Sequence, residues 1–326
     1  MKIWKAVDLF AGVGSVRIGF EQAFGDSLKT VYAFEPDAHS AATYHLNFDD
    51  DFKIQLDKTK VTCNAVPHFD ICMATLPSQA FSFVGKRLGF DDERGLAFQG
   101  IVKLCDHHQP KVIFLESSKG LWGHGDGKTL HTITHAICQL RYNVHTQIIN
   151  SRDYGVPQSR ERLYLVAFRN DIAPRNFEFP EGKAEVKLGD ILEHDVDSKY
   201  WVSQYGLDAM KTSKSRNEAK GHGFGYRVWD LDGYTGAIYS SNSCRDRSLI
   251  VDHPDKEPEP KRTDINTDWV RRLTPRECAR LQGFPEDFTF CGSDTAAYRQ
   301  IGNSVTVPVV KAIAGNILAV LTKKIK

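Results

Sequence analysis

Residues 8–15 read Asp8-Leu9-Phe10-Ala11-Gly12-Val13-Gly14-Ser15. An apolar run, Ile3–Leu9, leads into this stretch and a helical pattern leaves it, so the glycines fall in a tight turn between a strand and a helix. Glycine there lets a ligand come close to the backbone, and the helix start beyond it offers unpaired N–H groups. The next strand-like run, Lys29–Phe34, ends at Glu35, 21 residues after Gly14. In a nucleotide-binding sheet, a carboxylate at that place grips ribose hydroxyls. The full Gly-x-Gly-x-x-Gly fingerprint is absent, which argues against a dinucleotide and leaves a nucleoside-type cofactor. A structural turn and a surface glutamate are the plain alternative.

Further out, Phe69–Met73, Lys111–Leu115 and Leu163–Phe168 are apolar runs of strand length. Helical patterns such as Ala41–Asn47 and Leu96–Cys105 lie between them. Strands alternating with helices predict an α/β class with a doubly wound, mostly parallel sheet. In such a sheet ligands bind beyond the carboxyl ends of the strands. Near Glu181 the chain turns richer in Gly, Ser and charge, and Asp252–Arg262 carries Pro254, Pro258 and Pro260 like a linker. Thr274-Pro275-Arg276-Glu277 then reads as a helix start with a capping box, and Val305–Leu321 as an apolar C-terminal helix. The expected organisation is a core domain of residues 1–182 plus 269–326, interrupted by a smaller domain at 183–268.

Composition narrows the classes. Hydrophobic residues are 41% and charged residues 25%, an ordinary soluble balance that excludes disordered, collagen-like and coiled-coil chains. No apolar run approaches the ~18–20 residues that span a bilayer. The N-terminus reaches Asp8 too soon for a signal peptide, so a cytoplasmic protein without a membrane partner is expected. Seven cysteines with no Cys-x-x-Cys pair argue for reduced thiols rather than a disulfide framework. His107, His108, His131 and His135 show no ligand spacing with cysteines, and no metal is expected. The net charge of +1 is uninformative because it averages unlike regions. Lys211, Lys214, Arg216 and Lys220 face only Glu218 in their stretch.

Five later motifs decide more. Pro77-Ser78-Gln79-Ala80-Phe81-Ser82 follows the third strand, and Leu115-Glu116-Ser117-Ser118 the fourth. Asp153-Tyr154-Gly155-Val156-Pro157-Gln158-Ser159-Arg160-Glu161-Arg162 comes next. The last two are Arg272–Pro285, around Thr274-Pro275-Arg276-Glu277-Cys278, and Tyr298-Arg299-Gln300-Ile301-Gly302-Asn303-Ser304-Val305. In this order and spacing they resemble the DNA cytosine-5 methyltransferases of bacterial restriction–modification systems, in layout most like the short HhaI-type enzymes. The resemblance implies a class I methyltransferase fold and S-adenosylmethionine as cofactor. Phe10 would stack on the adenine beside Ala11, Gly12 and Gly14, Glu35 would hold the ribose, and Asp57 would meet the adenine amino group. Asn303 and Ser304 would close the cofactor pocket. Double-stranded DNA would lie in the cleft between the domains with one cytosine flipped out of the stack. A cognate restriction endonuclease would be the partner in the cell, and the enzyme itself a monomer.

The chain departs from the family at the chemistry. Ser78 stands where the family has its cysteine, Ser117-Ser118 where it has Asn-Val, and Thr75-Leu76 where it usually has Gly-Phe. Carbon 5 of cytosine is a poor nucleophile, and the family activates it by adding a thiolate to carbon 6. A serine hydroxyl needs a strong adjacent base for such an attack. Cys63 and Cys72 read as core thiols rather than displaced nucleophiles. Three readings remain: an engineered serine in an active enzyme, a pseudoenzyme that only binds DNA, and methylation of the exocyclic amino nitrogen (N4). The last needs no covalent adduct. It needs acceptors for the amine, which Ser78, Ser117 and the carbonyls near Leu76 and Pro77 could supply while Glu116 grips the base. The loss of the cysteine favours N4 over carbon 5.

For DNA itself, Gln158, Arg160 and Arg162 match the family's Gln-x-Arg-x-Arg motif, and strand alternation puts all three on one face. The resemblance assigns that face to the flipped base and backbone phosphate, with Arg160 and Arg162 in the catalytic set. Gln79, Ser82, Lys86 and Arg87 fall on the loop that closes over DNA in the family. Arg227 and Arg245 in the middle domain are candidate phosphate or guanine contacts.

Overall fold

A computed structural model describes residues 2–76, 93–174, 176–223, 225–239, 249–253 and 263–323. The strands are β1 (Trp4–Leu9), β2 (Leu28–Phe34), β3 (Ile71–Thr75), β4 (Val112–Ser118), β5 (Tyr142–Asn150), β6 (Gln158–Ser159) and β7 (Glu161–Arg169). They are followed by β8 (Val228–Trp229), β9 (Thr235–Gly236), β10 (Leu249–Val251) and β11 (Val270–Arg272). The chain divides into two compact units.

The first unit comprises Met1–Asn150, Glu161–Gly182 and Val305–Lys326. Its six-stranded sheet runs β2-β1-β3-β4-β7-β5. The first four strands are mutually parallel, and β7 runs antiparallel to both β4 and β5. This is the expected doubly wound, mostly parallel sheet. Residues such as Ile71, Cys72, Met73 and Ala74 of β3 are all fully buried, as continuous apolar runs should be in strands covered on both faces. The order reverses between β1 and β3, so the chain leaving Leu9 and the chain leaving Thr75 start at the switch point where ligands bind.

Helices cover the sheet: α1 (Ser15–Phe24), α2 (Ala38–Asn47), α3 (Glu93–His108), α4 (Gly120–Gly123) and α5 (Lys128–Gln139). The sheet's apolar face toward α3 and α5 carries Val7, Leu9, Cys72, Ala74, Ile113 and Leu115. A Cβ on Gly19 of α1 would lie 2.6 Å from the Val310 side chain, so glycine there lets the C-terminal helix approach closely. By length and composition the stretch Asp294–Lys323 could cross a membrane. It is two helices broken at Ser304, and the second buries Val310, Ile313, Ala314 and Ile317 within the first unit.

The second unit comprises Ser151–Arg160 and Lys183–Ser304. It holds α6 (Gln204–Ala219), α7 (Pro275–Leu281) and α8 (Asp294–Asn303), while α9 (Val307–Lys323) belongs to the first. Small sheets β11-β10-β8 and β6-β9 complete it. Val202, Leu207, Leu249 and Val270 form one small core. Residues 269–304, expected in the core domain, lie in this unit. The Glu277 carboxylate explains why, because it accepts from the Arg271 guanidinium at 2.7 and 2.8 Å, from Glu193 N–H at 2.9 Å and from Thr274 N–H at 2.7 Å. Arg271 and Glu277 are both fully buried, and such a pair is costly to break on one side only.

Candidate active site

The turn after β1 is strained in a way that fixes its shape. Phe10, Gly12 and Gly14 all take positive φ, at 55°, 57° and 90°. A Cβ on Gly14 would also lie 2.4 Å from the Phe48 ring, so the position requires glycine. Glu35, leaving β2, folds back on this turn. Its Oε2 accepts from Gly12 N–H at 2.8 Å and its Oε1 from Asp37 N–H at 2.8 Å. Burial raises its carboxyl above the usual range against the pull of those two N–H groups. Ser15 Oγ accepts from Val305 N–H at 3.0 Å, which ties the start of α1 to the segment entering α9.

Beside the turn lies a cavity of about 320 Å³ whose walls include Leu9, Phe10, Phe34, Pro36, Lys58, Thr59, Ile101 and Leu104. Phe10 and Phe34 meet edge to face with centroids 5.1 Å apart. The apolar, aromatic lining suits a flat heterocycle. Asp57 is not among the lining residues. Its Oδ1 accepts from Thr59 N–H at 2.9 Å and from Thr59 Oγ1 at 2.7 Å, and these bonds hold its carboxyl below the usual range.

Asp8 stands out only in three dimensions. It is fully buried near the end of β1, and among the described residues neither carboxylate oxygen has a hydrogen-bond partner. Burial pushes its carboxyl up to about 7, with nearby Arg17 opposing the rise. Arg17 is itself occupied by Asp50, Glu21 and Tyr44. Strand alternation turns Asp8 to the face opposite Leu9, so it lies away from the aromatic cavity. The aromatic cavity and Glu35 fit the adenosyl group of S-adenosylmethionine.

The carboxyl ends of β3 and β4 carry the second half of the site. Arg162 Nε lies 3.1 Å from Glu116 Oε1, and both side chains are largely buried. Leu76 N–H donates to the Glu116 carbonyl at 2.8 Å. Thr75 Oγ1 donates to the Phe10 carbonyl at 2.6 Å. Strand alternation sends Ser117 to the face of Ile113 and Leu115, opposite Glu116. The Ser117 hydroxyl is buried there, without a hydrogen-bond partner among the described residues. Cys72 is fully buried within β3, and Cys63 Sγ reaches only the Lys103 carbonyl at 3.7 Å.

Pro77, Ser78, Gln79, Ser82, Lys86, Arg87 and Arg245 lie outside the described residues. Gln158 and Arg160 turn inward. Both are buried in the second unit, where backbone groups occupy their side chains. Gln158 Nε2 donates to the Leu281 carbonyl at 2.8 Å, and its Oε1 accepts from Ile238 N–H at 2.9 Å. Arg160 donates to the carbonyls of Ile238, Gly302 and Ser304 at 2.6, 3.0 and 3.0 Å. Side chains so engaged tie segments of the second unit together, and Gln158 and Arg160 share a face, since both reach Ile238. Ser304 is buried, with its hydroxyl donating to the Gln300 carbonyl at 2.8 Å, whereas Asn303 is exposed. Arg227 is exposed, its guanidinium 3.8 Å from the Trp229 ring centroid. Among the described residues, no group of three His, Cys, Asp or Glu side chains is placed to hold a metal.

A family model described as C-5 cytosine-specific DNA methylase matches residues 4–319. The type II methyltransferase M1.ScrFI of Lactococcus lactis subsp. cremoris is 40% identical over 99% of this chain and 80% of its own length. M.HhaI of Haemophilus parahaemolyticus is 32% identical over 95% of this chain and 93% of its own. The crystal structure of the S. pombe Dnmt2 methyltransferase superposes with a TM-score of 0.71 at 20% identity, covering 100% of both chains.

Proposed function

Because the chain belongs to the C-5 cytosine-specific DNA methylase family, a family of S-adenosylmethionine-dependent DNA methyltransferases, we propose that it methylates a flipped cytosine of double-stranded DNA on the exocyclic N4 rather than on carbon 5. The single observation behind this is the sequence itself, which has Ser78 at the family's nucleophile position while the cofactor turn and the Glu116–Arg162 pair are retained. S-adenosylmethionine supplies an electrophilic methyl group when bound. Phe10 and Phe34 would flank its adenine, and Glu35 its ribose. Asn303 and Ser304 remain proposed closing residues of that pocket. We read the protein as a cytoplasmic monomer paired with a restriction endonuclease.

The chain's own residues then have distinct tasks. Arg162 holds the Glu116 carboxylate in one orientation, as a charge-assisted bond does. Glu116 accepts a hydrogen bond from the exocyclic amine and takes the proton released as that nitrogen gains a substituent. Ser78 forms no covalent bond to carbon 6 and contributes an acceptor to the amine. Nothing in this scheme requires a thiolate.

A second reading, a DNA-binding protein without transfer, is favoured by one observation. Ser117 faces away from Glu116, so it gives the amine no acceptor on that side. Incubation with methyl-labelled S-adenosylmethionine separates the two. Label on DNA supports the enzyme, and cofactor binding with unlabelled DNA supports the binder.

A further inference from the structure

The family pattern has glycine where this chain has Thr75, and the hydroxyl makes a bond that glycine cannot. Thr75 Oγ1 donates to the Phe10 carbonyl at 2.6 Å. On the other side of the same peptide unit, Ala11 N–H donates to the Phe34 carbonyl at 3.0 Å. The Phe10–Ala11 peptide is therefore pinned at its oxygen by β3 and at its nitrogen by β2. This matters because Phe10 holds a φ of 55°, a conformation that a bulky residue seldom takes unless its surroundings enforce it. The ring so held is a wall of the aromatic cavity. One residue beyond Thr75, Leu76 N–H donates to the Glu116 carbonyl at 2.8 Å. The same two residues thus join the cofactor turn to the strand end that carries Glu116.

We propose that Thr75 is a positioning residue for the cofactor: its hydroxyl locks the Phe10 peptide and so presets the aromatic wall that receives the adenine. The inference rests on reading the cavity as the S-adenosylmethionine site. Without the hydroxyl the peptide keeps one pin of two and can leave the left-handed conformation. Cofactor binding must then restore it.

The test is calorimetric titration of the full chain with S-adenosylhomocysteine, for the wild type and for Thr75→Val, Thr75→Ser and Thr75→Gly. Loss of one hydrogen bond predicts affinity about five- to tenfold weaker for Thr75→Val and Thr75→Gly. Thr75→Ser should stay within about twofold of wild type, since it keeps the donor. A purely structural role would not single out the hydroxyl in this way. Should Thr75→Val fail to fold, the comparison of Thr75→Gly with Thr75→Ser decides the matter. Equal affinity of the glycine and serine variants overturns the proposal. A wild-type chain that binds no S-adenosylhomocysteine overturns the cofactor reading itself, and this inference with it.

Discussion

Arg162 and Glu116 face each other diagonally across the β4–β7 ladder, Nε to Oε1 at 3.1 Å, in a register that pairs Glu116 with Tyr164 and Ser118 with Arg162. The antiparallel strand thus brings an arginine from much later in the chain onto the carboxylate at the end of a parallel strand. If this pair grips the base, Glu116→Gln should lower methyl transfer about a hundredfold or more, the usual scale for a lost general acid or base. S-adenosylhomocysteine affinity should be unchanged. Single-turnover incorporation of labelled methyl into duplex DNA, alongside calorimetry, measures both. Equal losses in both quantities would place Glu116 in the cofactor site instead.

Asp8 makes a pH prediction. In the folded chain its carboxyl is raised from 3.8 to about 7, chiefly by burial. Between those values the folded chain keeps a proton that the unfolded chain has lost. Stability therefore falls as pH rises through that window and levels off above it. Asp8→Asn should flatten the profile, with a gain in melting temperature at pH 8 and little change near pH 4. Thermal melts of both chains across pH check this, and a variant profile as steep as the wild type's would contradict it.

Much of the first unit was legible from residues 1–35. A strand, a glycine turn, a helix and a strand ending in Glu35 follow from periodicity and turn chemistry, and the doubly wound sheet follows from their repetition. The edge strand Tyr142–Asn150 was not legible as a continuous apolar run, although Tyr142, Val144 and Ile148 alternate with Asn143, His145 and Gln147 in the period-two pattern of a half-buried strand. Asp8 carried no signal. A carboxylate inside an apolar strand has meaning only once neighbouring strands are seen to leave it without a partner. For Gln158 and Arg160 the motif spacing gave the shared face but not their burial, because the Ile238, Leu281 and Gly302 backbone groups that engage them come from distant parts of the chain.

Those contacts make a stability prediction. Arg160→Met would strip the donor from the Ile238, Gly302 and Ser304 carbonyls, of which Gln282 still serves Ser304. Buried acceptors left unpaired should cost about 2–4 kcal/mol of stability. The loss should fall on the second unit. Limited proteolysis should cut faster within 183–304 than in the wild type, and slower opening there would contradict the assignment.

Restoring the missing thiol gives a gain-of-function prediction. With the cofactor turn and the Glu116–Arg162 pair in place, Ser78→Cys supplies the nucleophile that carbon 5 chemistry requires. The variant should form 5-methylcytosine in DNA on which the parent chain forms none. Enzymatic digestion and chromatography of the product read this directly.

The acceptor atom decides between the two chemistries. Duplex DNA incubated with the unaltered chain and S-adenosylmethionine, digested to nucleosides and resolved by mass spectrometry with authentic standards, identifies it. The prediction is N4-methyldeoxycytidine without 5-methyldeoxycytidine. The presence of 5-methyldeoxycytidine, or DNA left unmodified, would contradict it.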